Sequence, residues 1–250
     1  MPKVAILGAK GFLGSPIVDA FENSDWEVIT FSRNKSRDPL HQEFSANLFD
    51  EGSLKQALFL SRPNVVLSTA WDTEHGKFWT NGSNVSYRDS TLRFAELSFQ
   101  LDVETFIGLG SRCEYGTTPG FCNAQVSPLI GNDIYSKTKI ETGVALKEIG
   151  RRFGRQTHWA RVFQAFGPNE KKERLVPGLI AKLQNNEKFP IRTPNYKMDW
   201  IHTEDIASAI VYAIENRLDH FVDVGTGVGT SVKELSTLIC EEFDLDESLL

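Results

Sequence analysis

The chain has little cysteine, no long apolar run and no excess of positive charge, and each shortage removes a class of function. Its three cysteines, Cys113, Cys122 and Cys240, are odd in number and lack the spacing of a metal knuckle. They read as reduced thiols, not as a disulfide framework. The five histidines show no metal-ligand spacing either, so no metal is expected. No stretch approaches the roughly 20 apolar residues that cross a bilayer, so no membrane partner is expected. The run Val4-Ala5-Ile6-Leu7 behind Met1-Pro2-Lys3 is too short for a signal peptide, and a cytoplasmic location is expected. A formal net charge of −6 argues against nucleic acid as a partner, because nonspecific binding wants a basic surface.

What the chain does have is a hydrophobic fraction of 40% over 250 residues, enough to bury a core without staples. Short apolar runs at 4–7, 27–31, 65–68, 105–109 and 157–163 alternate with helical stretches at 12–21, 82–101 and 135–153. That βαβ rhythm predicts an α/β fold, a Rossmann-like doubly wound parallel sheet with right-handed crossovers. Beyond Pro168 the rhythm changes. Pro177, Pro190 and Pro194 surround a helix near 179–185, followed by helix 204–216, strand 221–224, a glycine-rich turn and helix 232–243. We expect a dinucleotide-binding domain over 1–167. Residues 168–250 should form a small C-terminal substrate lobe that lends one strand back to the main sheet.

Gly8-Ala9-Lys10-Gly11-Phe12-Leu13-Gly14 sits directly after the first strand and opens a helix. Glycines there allow a tight turn and close approach of the backbone to a pyrophosphate, whose charge the helix N-terminus stabilises. Gly8, Gly11, Phe12 and Leu13 are therefore candidate cofactor contacts. Cofactor choice is set at the end of the second strand, where an acid would hold the ribose hydroxyls of NAD. Here the run is Phe31-Ser32-Arg33-Asn34-Lys35-Ser36-Arg37, in a polar loop through Pro39 with no acid until Asp38. A hydroxyl and a guanidinium at Ser32 and Arg33 suit a 2′-phosphate, which predicts NADP, with NAD the alternative.

Tyr135 and Lys139 stand four residues apart at the start of a helix, hence on one face. A free tyrosine, with a pKa near 10, is a poor acid or base at neutral pH. A neighbouring ammonium and an oxidised nicotinamide would lower that value, so that the phenol exchanges a proton with a carbinol oxygen while hydride moves. Lys139 can also hold the nicotinamide ribose. Ser111 ends the preceding strand, where ligands of open α/β sheets bind, and its hydroxyl can donate to the substrate oxygen. The catalytic candidates are thus Ser111, Tyr135 and Lys139.

With these motifs the chain resembles the extended short-chain dehydrogenase/reductases, the NAD(P)-dependent epimerase/dehydratase family that handles nucleotide sugars. The spacing Gly-x-x-Gly-x-x-Gly carries the likeness, with Ser111-Arg112-Cys113-Glu114-Tyr115-Gly116, the stretch Arg161 to Pro168, Leu175-Val176-Pro177 and Asp199 to Ala207. The resemblance implies that Asn47 and Leu48, after strand two, and Ala70 and Trp71, after strand three, line the adenine and the cofactor backbone. It also implies a homodimer through a four-helix contact made by regions 82–101 and 135–153.

Departures narrow the expectation. Met198 stands where relatives that bind a sugar diphosphate carry arginine, and Gln164 replaces a substrate-binding asparagine. Dehydratases place a glutamate where this chain has Cys113, which weakens the case for water elimination. The chain ends soon after 243, where relatives continue, so a substrate-gripping strand and helix are expected beyond it or absent. Arg112 and Glu114 are candidate substrate contacts and Arg174 a candidate phosphate contact, whereas Trp200 and His202 are expected to anchor the lobe. The expected function is an NADP(H)-dependent oxidoreductase acting on a keto or hydroxyl carbon of a sugar, a nucleotide-sugar 4-ketoreductase or epimerase. The rival is a non-catalytic NADP(H)-binding regulator or scaffold.

Overall fold

The computed structural model describes residues 1–34, 41–74, 76–118 and 120–250. Along the chain run β1 (Lys3–Leu7), α1 (Gly14–Glu22), β2 (Glu27–Ser32), β3 (Gln42–Ser45), α2 (Glu51–Ser61), β4 (Val65–Ser68), α3 (Ser83–Gln100), β5 (Thr105–Ser111) and α4 (Ile134–Phe153). There follow β6 (Gln156–Val162), β7 (Gln164–Phe166), α5 (Leu175–Gln184), β8 (Lys197–His202), α6 (Thr203–Glu215), β9 (Phe221–Val224), β10 (Gly229–Ser231) and α7 (Val232–Phe243).

Seven strands form one parallel sheet in the order β3-β2-β1-β4-β5-β6-β9. β4 and β5 are buried along their whole length, as parallel strands covered on both faces must be. Ile17 and Phe21 of α1 and Ile206 and Ile210 of α6 cover one face. Leu54 and Leu58 of α2, Phe94 of α3 and Leu146 of α4 cover the other. Each fully buried side chain of this size contributes roughly 1.5–3 kcal/mol. Through such contacts α6 belongs to the core of the main sheet, and β9 pairs with β6 in register Trp159↔Phe221 to Val162↔Val224. A second sheet, β10-β8-β7, lies beside it.

Strand order reverses between β1 and β4, so the crevice beyond their carboxyl ends is where such a sheet takes a ligand. Three glycines bring α4 close to that crevice. A Cβ on Gly108, Gly110 or Gly143 would fall within 2.7 Å of the Trp159 side chain, so the indole occupies space that only glycine leaves between β5 and α4.

The sequence pattern did not show β3, α2 or the small sheet. β3 reads Gln-Glu-Phe-Ser with a single apolar residue, and exposed Phe59 and Leu60 blur the helical period of α2. Asn47 and Leu48, expected after β2, therefore follow β3 instead. Lys35 to Pro39, most of the predicted polar loop, lies outside the described residues.

Candidate active site

The glycine cradle follows β1. Gly8 has φ +87°, in the left-handed region that favours glycine, and a Cβ on Gly14 would sit 2.0 Å from the Gly8 carbonyl oxygen. The Gly11 amide donates to that carbonyl at 2.8 Å. Leu13 precedes α1 and supplies no side-chain cap. The Ser15 amide donates to the Gly11 carbonyl and Pro16 has no N–H, so the amides left to meet a pyrophosphate, with no side chain in competition, are those of Phe12, Leu13 and Gly14.

At the end of β2 the structure revises the sequence argument. The Ser32 hydroxyl donates to Glu43 Oε1 at 2.9 Å, and Lys10 Nζ pairs with the same oxygen at 2.7 Å. The parallel register Thr30↔Glu43 brings this acid beside the end of β2, although it comes after Asp38 in the chain. Ser32 is thus committed to Glu43, while Arg33 is exposed. Asn47 Oδ1 accepts from the Phe49 amide at 3.2 Å, and the Leu48 side chain is buried in the core. These four residues stand apart from the cleft that holds the reactive groups.

That cleft, about 310 Å³, opens beyond β1, β4, β5 and β6. Gly11, Phe12 and Leu13 form one wall, with Thr69 and Trp71 after β4. Ser111, Arg112, Cys113 and Tyr135 form the next, and Gln164, Glu170, Lys171 and Arg174 close the far side. A larger groove of about 610 Å³ runs between α1 and α6, but its residues (Asp19, Asn23, Ser208 and Tyr212 among them) include no counterpart of the Ser111–Tyr135 pair.

Asp133 caps α4 by accepting from the Ser136 amide at 2.8 Å, which fixes Tyr135 in the first turn. Phe78 and Trp79 clasp the Tyr135 ring edge-on, with centroids at 4.8 and 5.6 Å. Burial pushes the Tyr135 phenol above its ordinary value near 10, and the neighbouring Ser111 hydroxyl pulls it back only in part. Sequence reasoning missed Phe78 and Trp79. Their signal was two consecutive aromatics in a polar stretch ahead of a helix.

Lys139 does not line this cleft. Its Nζ donates to the Leu109 carbonyl at 2.7 Å and lies 3.6 Å from the centre of the Trp71 ring. Trp71 is itself fixed by its indole N–H, which donates to Asn84 Oδ1 at 2.7 Å, and by stacking on Tyr87. Burial lowers the Lys139 ammonium to about 7, against the pull of Glu114. The expected lowering joins an oxidised nicotinamide to the ammonium, and the protein's own groups by themselves leave the phenol raised. The ammonium is 5.7 Å from the phenol ring centre, and burial prevails.

Glu114 is also not a substrate contact. It is fully buried, with Oε1 accepting from the Ser111 amide and the Trp159 indole, each at 2.9 Å, and Oε2 from Arg161 Nε at 2.7 Å. Beside it Tyr115 donates to both Asp223 oxygens, at 2.7 and 2.8 Å. This network is the floor of the site and holds the end of β5 in place. Trp200 donates to the Thr230 carbonyl at 3.1 Å, tying β8 to β10, and His202 accepts from the Glu204 amide at the start of α6.

A family model for the NAD dependent epimerase/dehydratase family matches residues 4–225. This chain belongs to that family. Its membership makes it an enzyme of the extended short-chain dehydrogenase/reductase type. A low-salt glycan biosynthesis protein of Haloferax volcanii is 24% identical over 95% of this chain and 81% of its own length. Two solved structures share the fold. The UDP-glucose 4-epimerase of Thermotoga maritima with UDP-glucose has a TM-score of 0.85 at 21% identity, over 98% of this chain and 84% of its own. The Thermus thermophilus UDP-glucose 4-epimerase in complex with NAD has a TM-score of 0.82 at 20% identity, over the same shares. Within the family frame Met198, in the place of the usual arginine, lies on β8 with its sulfur 3.5 Å from Arg112 Nη2. Gln164 reaches the cleft from the start of β7.

Proposed function

We propose that the chain is an NADP(H)-dependent oxidoreductase acting on a keto or hydroxyl carbon of a nucleotide-linked sugar. Ser111 and Tyr135 share one cleft with the cradle residues Gly11, Phe12 and Leu13, and this observation carries the reading. A dinucleotide seated on the cradle would supply or accept the hydride. The Ser111 hydroxyl orients the substrate oxygen by hydrogen bonding. Tyr135, held as the neutral phenol by burial, gives its proton to that oxygen in the reducing direction. Phe78 and Trp79 keep water from the phenol, which preserves its proton until substrate arrives. Lys139, its ammonium 5.7 Å from the Tyr135 ring centre and against the Trp71 ring, would hold the nicotinamide ribose.

Preference for NADP rests on Arg33 and on Lys10, which neutralises Glu43 at the ribose end. The nucleotide-linked substrate is supported by the family and by the ligand named with the Thermotoga maritima neighbour. Tyr135→Phe tests the reading. It should lower turnover of NADPH with a 4-keto nucleotide sugar by about 10²–10⁴-fold while leaving NADPH affinity unchanged. Turnover retained in that variant would remove Tyr135 from the chemistry.

A further inference from the structure

Beside Ser111, the cleft presents a guanidinium that the described residues meet only with a weak acceptor. Arg112 carries five N–H donors, and its side-chain hydrogen bond is to the Met198 thioether at 3.5 Å, a weak acceptor. Three acids of the surrounding strands and turn, Glu114, Asp223 and Asp199, are engaged elsewhere. Glu114 is spent on the Ser111 amide, Trp159 and Arg161. Asp223 takes the Tyr115 hydroxyl. Asp199 takes the amides of Thr226 and Gly227 and the Thr226 hydroxyl. Across the cleft Glu170 binds Arg174 at 3.2 Å. The walls therefore hold three cations, Arg112, Lys171 and Arg174, against the single acid Glu170, in a chain of net charge −6.

We infer that Arg112 anchors an anionic group of the substrate, a carboxylate or a phosphate, close to the carbon that Ser111 and Tyr135 address. The inference rests on the oxidoreductase reading and narrows its substrate to an acidic one at this position. A planar guanidinium meets either oxyanion through two parallel hydrogen bonds, and in a half-buried cleft these are weakly screened. Met198 helps by leaving the guanidinium without a competing carboxylate.

The test is calorimetric titration of UDP, UDP-glucose, UDP-glucuronate and free glucuronate into the wild type, Arg112→Gln and Arg112→Lys. Each variant is first checked for an unchanged melting temperature. At least one anionic probe should bind Arg112→Gln about ten- to a hundredfold more weakly, with partial recovery in Arg112→Lys. Loss confined to the glucuronate-bearing probes identifies a carboxylate, and loss shared by UDP and UDP-glucose identifies a phosphate. Equal affinities in wild type and Arg112→Gln, or no binding of any probe by the wild type, would overturn the inference. If Arg112→Gln changes nothing while Tyr135→Phe still abolishes turnover, this inference alone falls. Turnover that survives Tyr135→Phe strikes the oxidoreductase reading instead.

Discussion

Arg161 and Arg112 lie within one site and serve opposite ends. Arg161 is 1% exposed, bonded to Glu114 at 2.7 Å, and stacked over Phe221 and Tyr115. Arg112 faces the cleft and, among the described residues, holds only a thioether. A buried charge must be met by its own chain, because desolvation leaves it nothing else. A half-buried charge with weak acceptors is left for a ligand. The floor of the site is thus architecture and its wall is recognition, although both use the same side chain.

The floor should fail hardest. Glu114→Gln removes the direct ion-pair partner of buried Arg161, leaving only Asp223 across the Tyr115 hydroxyl, and should cost about 3–5 kcal/mol, measured by chemical denaturation. A loss below about 1 kcal/mol would mean that the pair is not what holds the end of β5.

Next in size is an acid-driven loss of stability from His220, which packs between Gly143 and Thr157 beneath α4. Burial lowers its pKa to about 4, below the ordinary 6.5. The unfolded chain therefore takes up the proton first, and stability should fall as pH drops from 6.5 to about 4 and level off below that. The loss attributable to this residue is on the order of 2 kcal/mol after allowance for partial exposure, and His220→Gln should flatten it. An unchanged pH profile in that variant would assign the acid limb elsewhere.

Trp71→Ala uncovers Lys139. Water then reaches the ammonium and its pKa rises from about 7 toward the ordinary 10.5. The lysine-dependent limb of the pH–rate profile should move upward by about one unit or more. A limb that stays in place would show that the Leu109 carbonyl and Trp159, rather than Trp71, set the lysine.

Arg112→Gln should leave stability within about 0.5 kcal/mol of wild type. A larger loss would place Arg112 with the floor.

What the sequence disclosed was local. The glycine spacing after β1, the strand end at Ser111 and the i, i+4 pair Tyr135 and Lys139 each lie within one turn or one strand end. Their positions were readable from period and punctuation alone. What it concealed depends on contacts between distant segments. Glu43 comes after Asp38 in the chain, and only the pairing of β3 with β2 sets it beside Ser32. Trp71 was read as a lining residue and does line the cleft, but that its ring also covers Lys139, held there by Asn84 and Tyr87, was not legible. Glu114 looked like a substrate ligand because it neighbours Ser111. The indole of Trp159 and the guanidinium of Arg161, both from β6, claim it.

The most direct test of the central claim, that the cradle and the Ser111–Tyr135 cleft form one dinucleotide-dependent site, is titration of NADPH and NADH into the wild type and Glu43→Gln. The wild type should bind NADPH more tightly than NADH, and Glu43→Gln should widen that preference by removing a carboxylate near the 2′ position. Failure of both dinucleotides to bind the wild type would contradict the account at its foundation.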